Sequence, residues 1–183
     1  MIFDTGSADL WVRAHAYNAS KSESASKKGS VSSNKWQIQY GGGGVRGSVV
    51  RDTVQVQQSH GASLQATHAA FAVAANSWKG FDEPSGNIEE SNKLEGGSEI
   101  SQDAGIFATL KGDGVLGMAF KSLNAVRQDK QATLMDRFVE QSQVRLSAFA
   151  IYLAAAAAAP GGGCTSQSFV AFGVDTSIAN LTG

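Results

Sequence analysis

The sequence predicts a mainly β protein, and three observations support that prediction. The 183 residues include 21 glycines but only 2 prolines, and the apolar runs are short, which is typical of a turn-rich β protein. Residues 36–40 alternate apolar and polar side chains, and an apolar run over 64–75 has strand-like alternation as well. Only one short helix is indicated, over 132–141, so an architecture of alternating strands and helices is disfavoured.

Size and charge limit the classes of function. A chain of 183 residues suits one domain with a real core, and a formal charge of −1 with 17% charged residues makes nucleic acid an unfavourable partner. No apolar run of 18 residues occurs, so we expect no membrane span, and the first residues do not have the pattern of a signal peptide.

Metal and disulfide chemistry are also disfavoured by the sequence. The three histidines, His15, His60 and His68, are far apart and lack the spacing of a metal-binding motif. A single cysteine, Cys164, has no internal partner for a disulfide. We therefore expect no metal and no cofactor.

The stretch that organises the chain is F-D-T-G-S-A-D-L-W-V, over residues 3–12. An apolar run leads into Asp4, a Thr-Gly turn follows, and an apolar run resumes, which predicts a strand, a tight loop and a second strand. The hydroxyls of Thr5 and Ser7, with the close backbone approach that Gly6 allows, would give the Asp4 carboxylate several hydrogen bonds that favour its ionised form.

A second feature is a predicted β-hairpin. The strand over 36–40 ends at Tyr40, four glycines follow at 41–44, and strand-like sequence resumes over 45–56, so we expect a hairpin with a mobile tip. Residues 42–49 also fit the kinase glycine-loop pattern. A kinase would need H-R-D and D-F-G as well, and the sequence contains neither. A purely structural glycine-rich hairpin stays open as an alternative.

A third feature is the pair of segments 106–110, predicted as a strand, and G-D-G-V-L-G over 112–117. The second segment fits the dinucleotide-binding fingerprint, but the rest of the chain lacks the alternating strands and helices of that fold. An amphipathic helix over 132–141 and strands over 147–153 and 169–175 follow. The helix has an apolar stripe formed by Leu134, Met135, Phe138 and Val139.

Two polar stretches, 13–34 and 76–102, are predicted as surface loops within a single domain over 1–183. The first is rich in Ser, Lys and Ala, and the second is acidic with several Gly and Pro breakers. A loop as long as the second is functional or disordered, and the composition favours disorder.

In order along the chain, D-T-G-S at Asp4, the Tyr-Gly pair at Tyr40 and D-G-V-L-G over 113–117 resemble the pepsin-like aspartic proteinases. The resemblance extends from Asp4 to about residue 183 and implies one lobe of that fold, a partly closed, Greek-key-like β-barrel with a short helix. It implies that Asp4 is catalytic and activates a water to cleave peptide bonds, with a catalytic loop supported by Thr5, Gly6, Ser7 and Trp11.

The resemblance also implies a substrate cleft. The hairpin would be the flap that covers bound peptide, with Tyr40, Gly41 and Gly42 at the substrate and Trp11 as the hydrogen-bonding neighbour of Tyr40. The strand beneath the catalytic loop would need a glycine, because a second backbone packs closely against the D-T-G turn. The residues implied for the cleft and this strand are Phe107, Val115, Leu116 and Gly117.

The family's cleft has two lobes with one aspartate each, and the sequence contains only one D-T-G or D-S-G motif. We therefore expect an N-terminal lobe truncated at both ends, whose partners are a peptide or protein substrate and a C-terminal lobe carrying the second aspartate. Asp9 and Asp113 are the nearby acids, and neither is expected to serve as that second carboxylate. The alternatives are an inactive peptide-binding lobe and a homodimer with one aspartate per chain.

Location is implied by the same resemblance, which indicates secretion or the lumen of a vacuole or lysosome. Asn18 and Asn180 begin glycosylation sequons, which also favour secretion. Substrate specificity and pH optimum have no signal in the sequence.

Overall fold

A computed structural model describes residues 1–26, 35–57, 63–80, 105–125, 132–153 and 168–173. Strands account for most of the regular structure in these ranges, which confirms the mainly β prediction. In chain order the elements are β1 (Ile2–Asp4), β2 (Leu10–Arg13), β3 (Lys35–Tyr40), β4 (Gly43–Val56), β5 (Leu64–Lys79), α1 (Ile106–Thr109), β6 (Gly114–Gly117), α2 (Leu134–Glu140), β7 (Phe149–Tyr152) and β8 (Phe169–Phe172).

Six strands form one curled sheet in the order β1-β6-β2-β5-β4-β3. Strand β6 lies between β1 and β2, parallel to the first and antiparallel to the second. The two strands of the D-T-G stretch are therefore not adjacent, and the loop between them must cross the end of β6. Strands β3, β4 and β5 are antiparallel neighbours at the other side of the sheet.

The sheet buries a different core on each face because successive side chains of a strand point to opposite sides. Leu10 and Leu116, which are paired between β2 and β6, belong to an aliphatic core with β5 and α2. Their neighbours Trp11 and Val115, also paired, belong to an aromatic core on the other face. The remaining buried members of the aromatic core are Trp36, Val45, Ala72, Ala74 and Phe107.

The helix α2 covers the aliphatic face, as the apolar stripe predicts. Thr133 and Asp136 form a capping box, in which each side chain accepts a hydrogen bond from the other residue's backbone N–H. Leu134 and Phe138 are buried, and Phe138 contacts Phe172 of β8 edge-to-face at 5.9 Å. No helix among the described residues is long and apolar enough to cross a membrane.

The boundaries predicted for the two long loops, 13–34 and 76–102, differ from those in the structure. Strand β5 continues to Lys79, four residues into the stretch predicted as a loop from residue 76, because those residues pair with β4. The described part of 13–34 begins with Arg13 at the end of β2 and contains two 3₁₀ turns, at Ala14–Ala16 and Ala19–Lys21. Residues 27–34 and 81–104 lie outside the described ranges.

The prediction of a strand over 106–110 is wrong, because Ile106–Thr109 is a single helical turn. Gly105 has a φ of 61°, which turns the chain into the helix, and the N–H of Leu110 closes the turn on the carbonyl of Ile106. The dinucleotide-binding alternative is also wrong, since Gly114–Gly117 is a central strand paired on both sides.

Candidate active site

The loop that carries the D-T-G motif is fixed to the end of β6 by three backbone hydrogen bonds. The N–H groups of residues 117, 118 and 119 donate to the carbonyls of Asp9, Asp4 and Ser7, over 2.9, 2.8 and 2.9 Å. A Cβ at Gly117 would lie 2.5 Å from the backbone of residues 8 and 9, closer than real contacts allow. The predicted need for glycine beneath the loop is therefore met at Gly117.

The carboxylate of Asp4 accepts hydrogen bonds from Gly6 and Ser7, two of the three loop residues that were predicted to support it. The N–H of Gly6 donates to Oδ1 over 2.9 Å, and the hydroxyl of Ser7 donates to Oδ2 over 2.6 Å. Ser7 is buried, Asp4 is half-buried, and Thr5 is exposed. One oxygen is held from the backbone and the other from a side chain, so the carboxylate has a fixed orientation and stays accessible.

Tyr40, at the end of strand β3, connects the hairpin to this loop. The indole N–H of Trp11 donates to the Tyr40 hydroxyl over 2.8 Å, which is the contact that the resemblance implies. Burial raises the pKa of Tyr40, and the negative charges of Asp4 and Asp9 add to that effect, while hydrogen bonding with Trp11 and Ser7 opposes it. Tyr40 therefore remains a neutral hydroxyl between the hairpin and the D-T-G loop.

A pocket of about 260 Å³ opens between the hairpin and the D-T-G loop. It brings together backbone and side chains of the loop, of β3 and of the turn that follows β6. Its lining residues are Gly6, Ser7, Ile38, Gln39, Tyr40, Ser122, Leu123, Asn124 and Ala125. A concave space with apolar and polar walls, lined by the loop that orients Asp4, has the general character of a ligand-binding site.

Phe107 is buried against β2, and it lies on α1 and not on the strand beneath the D-T-G loop. Its ring contacts that of Trp11 at 6.1 Å. The guanidinium of Arg13 lies over the Phe107 ring at 4.9 Å and donates to the carbonyls of Phe107 and Leu110. Arg13 thus fixes the helical turn that packs Phe107 against Trp11, a role for which no signal was visible in the sequence.

The other residues predicted for the site do not lie together in the structure. Val115 and Leu116 are buried on opposite faces of the sheet, whereas Gly41 and Gly42 are exposed at the hairpin tip. Asn18 is exposed at the surface, where its side chain caps the 3₁₀ turn Ala19–Lys21. Asn180 lies outside the described residues.

Asp9 is the residue whose structural importance the sequence reasoning missed. It is 1% exposed, and its two carboxylate oxygens accept from the indole N–H of Trp36 and the backbone N–H of Ala125, each over 2.9 Å. It therefore connects the D-T-G loop to β3 and to the wall of the pocket. An acid between Ala8 and Leu10, at the start of an apolar run, was the available signal.

Comparison with known proteins places this geometry in a family. The model of the family described as "Eukaryotic aspartyl protease" matches residues 1–80 and 90–174. Aspergillopepsin-1 of Aspergillus fumigatus is 33% identical over 158 residues, which cover 82% of this chain and 32% of that protein. Penicillopepsin-1 of Talaromyces stipitatus is 33% identical over 156 residues, with the same two coverages.

A relative from animals gives a similar result. Human cathepsin D is 28% identical over 167 residues, covering 84% of this chain and 34% of the relative. The chain thus spans about a third of the length of the curated relatives that it matches. Since the family match covers nearly the whole chain in the order of its motifs, the chain belongs to the eukaryotic aspartyl protease family.

Proposed function

We propose that this chain supplies Asp4 as the first catalytic aspartate of an aspartic endopeptidase, and that a further lobe supplies the second. The observation that carries the proposal is the accessible carboxylate of Asp4, oriented by Gly6 and Ser7, whose loop lines a pocket together with Tyr40. Peptide or protein substrates would bind in an extended form along this pocket, beneath the flap formed by residues 35–56.

The mechanism requires two carboxylates that share one proton and hold one water. Two such carboxylates cannot both ionise easily at close range, so their pKa values separate, and the aspartic proteases are themselves the standard example of this behaviour. The ionised carboxylate accepts a proton from water as the water attacks the peptide carbonyl, and the protonated one donates to the carbonyl oxygen. The hydrogen bonds from Gly6 and Ser7 hold the Asp4 carboxylate in one orientation, which proton transfer requires.

We expect the second carboxylate to come from another lobe, because the two acids nearest in sequence make other contacts. Both oxygens of Asp9 are occupied by Trp36 and Ala125. Asp113 lies at the opposite end of β6 from Gly117, the partner of Asp4, and four strand residues span about 13 Å. Its carboxylate instead faces the exposed side chain of His15 at 3.5 Å.

Location follows from family membership as part of the same proposal. We propose that the protein works in a secreted or in a vacuolar or lysosomal compartment, where acidic pH keeps one of the two aspartates protonated. Glycosylation at the exposed Asn18 would agree with that route, and mass spectrometry of the native protein would detect it.

The decisive experiment begins with the native transcript downstream of the codon for residue 183. A second D-T-G or D-S-G motif is expected there. The protein that the transcript encodes should then cleave a denatured protein at acidic pH, and a transition-state-mimicking inhibitor of aspartic proteases should block the cleavage. Residues 1–183 alone are expected to be inactive.

Two other outcomes would identify the alternatives. Inhibitor-sensitive cleavage by a dimer of residues 1–183, measured together with its mass in solution, would establish a homodimer with one Asp4 per chain. Binding of the inhibitor without cleavage by the full-length protein would indicate a non-catalytic peptide-binding lobe.

A further inference from the structure

One strand of the flap, β4, is paired on both of its sides, because it lies between β3 and β5. Strand β5 continues beside β4 up to the hairpin tip, with Trp78 opposite Gly44 and Lys79 opposite Gly43. Beyond the strand, the N–H of Gly80 donates to the carbonyl of Gly42 over 3.2 Å. In a hairpin of β3 and β4 alone, no third strand would support the tip. Here β5 extends to the tip and pairs with β4.

A second contact fixes the same tip from β3. The side-chain amide of Gln39 donates to the carbonyl of Gly80 over 2.8 Å, so both the N–H and the carbonyl of Gly80 bond to the hairpin. The end of β5 is therefore attached to the hairpin on both sides of Gly41. Gly41 itself has no atom within 4 Å of where a Cβ would lie, and neither has Gly42.

Trp78 fills the space that a side chain at Gly44 would occupy. A Cβ at Gly44 would lie 2.0 Å from Cζ2 of the Trp78 indole and 2.5 Å from two further ring atoms. Trp78 is 5% exposed, so the ring has little room to move aside. The glycine at this position is thus explained by the ring packed against it, and not only by the flexibility of a glycine-rich tip.

The end of β5 around Trp78 is also in contact with the start of α1. A Cβ at Gly105 would lie 2.5 Å from the backbone carbonyl carbon of Trp78, so the two backbones are in close contact. The N–H of Phe107 donates to the buried hydroxyl of Ser77 over 3.2 Å. Because Phe107 packs on Trp11, which bonds to Tyr40, the contacts around the base of the flap form a closed ring.

We infer that Trp78 is a positioning residue that holds the flap over Asp4, and that flap movement is confined to the tip at Gly41 and Gly42. The flap is then a three-stranded unit from Gly43 onward, and substrate enters beneath a largely fixed cover. The inference rests on the proposed function for its effect on catalysis. Its structural part, the restraint of the flap by Trp78, is independent of catalysis.

The structural part is tested by amide hydrogen exchange in the full-length protein. Trp78→Ala should speed exchange at residues 42–45 by about tenfold or more, because local opening of the flap becomes easier. Leu64→Ala is the matched control, since it truncates a buried side chain at the other end of β5 and should leave residues 42–45 unchanged. Unchanged exchange in Trp78→Ala would overturn the inference.

A double-mutant cycle tests the contact itself and serves if Trp78→Ala folds poorly. Gly44→Ala should lower the Tm, and this loss should be smaller in a Trp78→Ala or Trp78→Phe background because the ring that clashes is absent or smaller. Gly42→Ala, at a position with open space, should leave the Tm nearly unchanged. An equal loss from Gly44→Ala in all backgrounds would overturn the inference.

The catalytic part is read from kinetics with the active-enzyme concentration fixed by inhibitor titration. Trp78→Ala should raise KM for a peptide by about fivefold or more with a smaller change in kcat, whereas Leu64→Ala should leave KM unchanged. An unchanged KM in Trp78→Ala would overturn the role in positioning. If wild-type protein shows no Asp4-dependent cleavage, the proposed function fails, and the exchange experiment still decides whether Trp78 restrains the flap.

Discussion

Two aspartates in this chain accept hydrogen bonds from serine hydroxyls, but their surroundings differ. Asp4 is half-buried and accepts from Gly6 and Ser7, both in its own loop. Asp52, in β4, is 4% exposed and accepts from three hydroxyls and one backbone N–H. The donors to Asp52 are Tyr17 at 2.9 Å, Ser22 at 2.9 Å, Ser24 at 2.5 Å and the N–H of Thr53 at 2.7 Å.

These contacts keep the Asp52 carboxylate charged, and burial makes it inaccessible. Burial alone would raise the pKa of Asp52, but the hydrogen bonds from Ser24, Ser22, Thr53 and Tyr17 outweigh it and lower that pKa below its usual value. In turn, burial, the bond to Asp52 and its charge raise the pKa of Tyr17 to about 12.

The comparison shows how similar donors serve two purposes. Three donors bond to Oδ1 of Asp52 and one bonds to Oδ2. Because the residue is also buried, its carboxylate is not accessible to a substrate. The three hydroxyl donors come from the segment before β3, so Asp52 anchors that segment to the sheet. Asp4 has only two local donors, which orient the carboxylate and leave lone pairs available for chemistry.

The largest expected effect is the loss of catalysis when Asp4 loses its charge. In the full-length protein, Asp4→Asn should reduce kcat/KM by on the order of 10³-fold or more, because the amide cannot take a proton from water. The Tm should change little, since Asn keeps an oxygen for the Gly6 N–H and its NH₂ group can donate to the Ser7 hydroxyl. Cleavage of a denatured protein at acidic pH and thermal unfolding are the measurements.

Asp52→Asn is the matched control, because the same chemical change is made at a carboxylate that the mechanism does not use. Asp52→Asn should lower the Tm, and the molecules of this variant that stay folded should keep the wild-type KM. The assignment of Asp4 as catalytic and Asp52 as structural would be wrong if Asp4→Asn kept its turnover. It would also be wrong if Asp52→Asn abolished turnover without loss of stability.

The second prediction concerns stability at low pH. A folded-state pKa below the unfolded value means that the Asp52 carboxylate stabilises the fold above its unfolded pKa and loses this contribution as the pH falls towards its folded pKa. Asp52→Asn should therefore cost about 2 to 4 kcal/mol of unfolding free energy near neutral pH. The difference from wild type should shrink in strongly acidic solution, as measured by denaturant unfolding across pH.

The behaviour of the segment before β3 gives an independent check on this prediction. Amide exchange over residues 17–24 should rise in Asp52→Asn and, for wild type, in strong acid. A stability difference that is constant with pH would show that the charge on Asp52 contributes nothing.

A smaller effect is expected at Asp9, which is buried like Asp52 but has two donors. Asp9→Asn replaces one accepting oxygen by an NH₂ group, which then faces the indole N–H of Trp36 or the N–H of Ala125. The expected cost is about 1 to 3 kcal/mol of unfolding free energy. Asp113→Asn is the control, because the Asp113 side chain is 73% exposed and should change the stability little. Equal costs at the two sites would contradict the role given to Asp9.

Some of the structure around Asp4 was predictable from the sequence. The D-T-G-S motif predicted the hydrogen bonds from Gly6 and Ser7 to Asp4, because they depend on a few residues with a definite spacing. The close approach at Gly117 and the contact between Trp11 and Tyr40 were implied by the family resemblance. The period of the apolar stripe likewise predicted α2, over Leu134–Glu140.

What the sequence did not reveal depends on pairing between distant segments. The anchor at Asp52 joins residues 28 to 35 positions apart, and the extension of β5 to Lys79 follows from its pairing with β4, not from its polar side chains. Residues 106–110 look like a strand, but Gly105 and the contacts from Arg13 impose a helical turn.

The smallest expected effect separates the two serine donors. Ser7→Ala removes the 2.6 Å hydrogen bond to Asp4, and Ser24→Ala removes the 2.5 Å hydrogen bond to Asp52. Each should cost about 1 kcal/mol of unfolding free energy or less, and Ser24→Ala should cost more because its partner is buried and remains charged. In the full-length protein only Ser7→Ala should lower kcat/KM, by about tenfold, since the lost donor fixed the orientation of the Asp4 carboxylate. An equal change of kcat/KM in both variants would mean that the difference between the two carboxylates is one of burial alone.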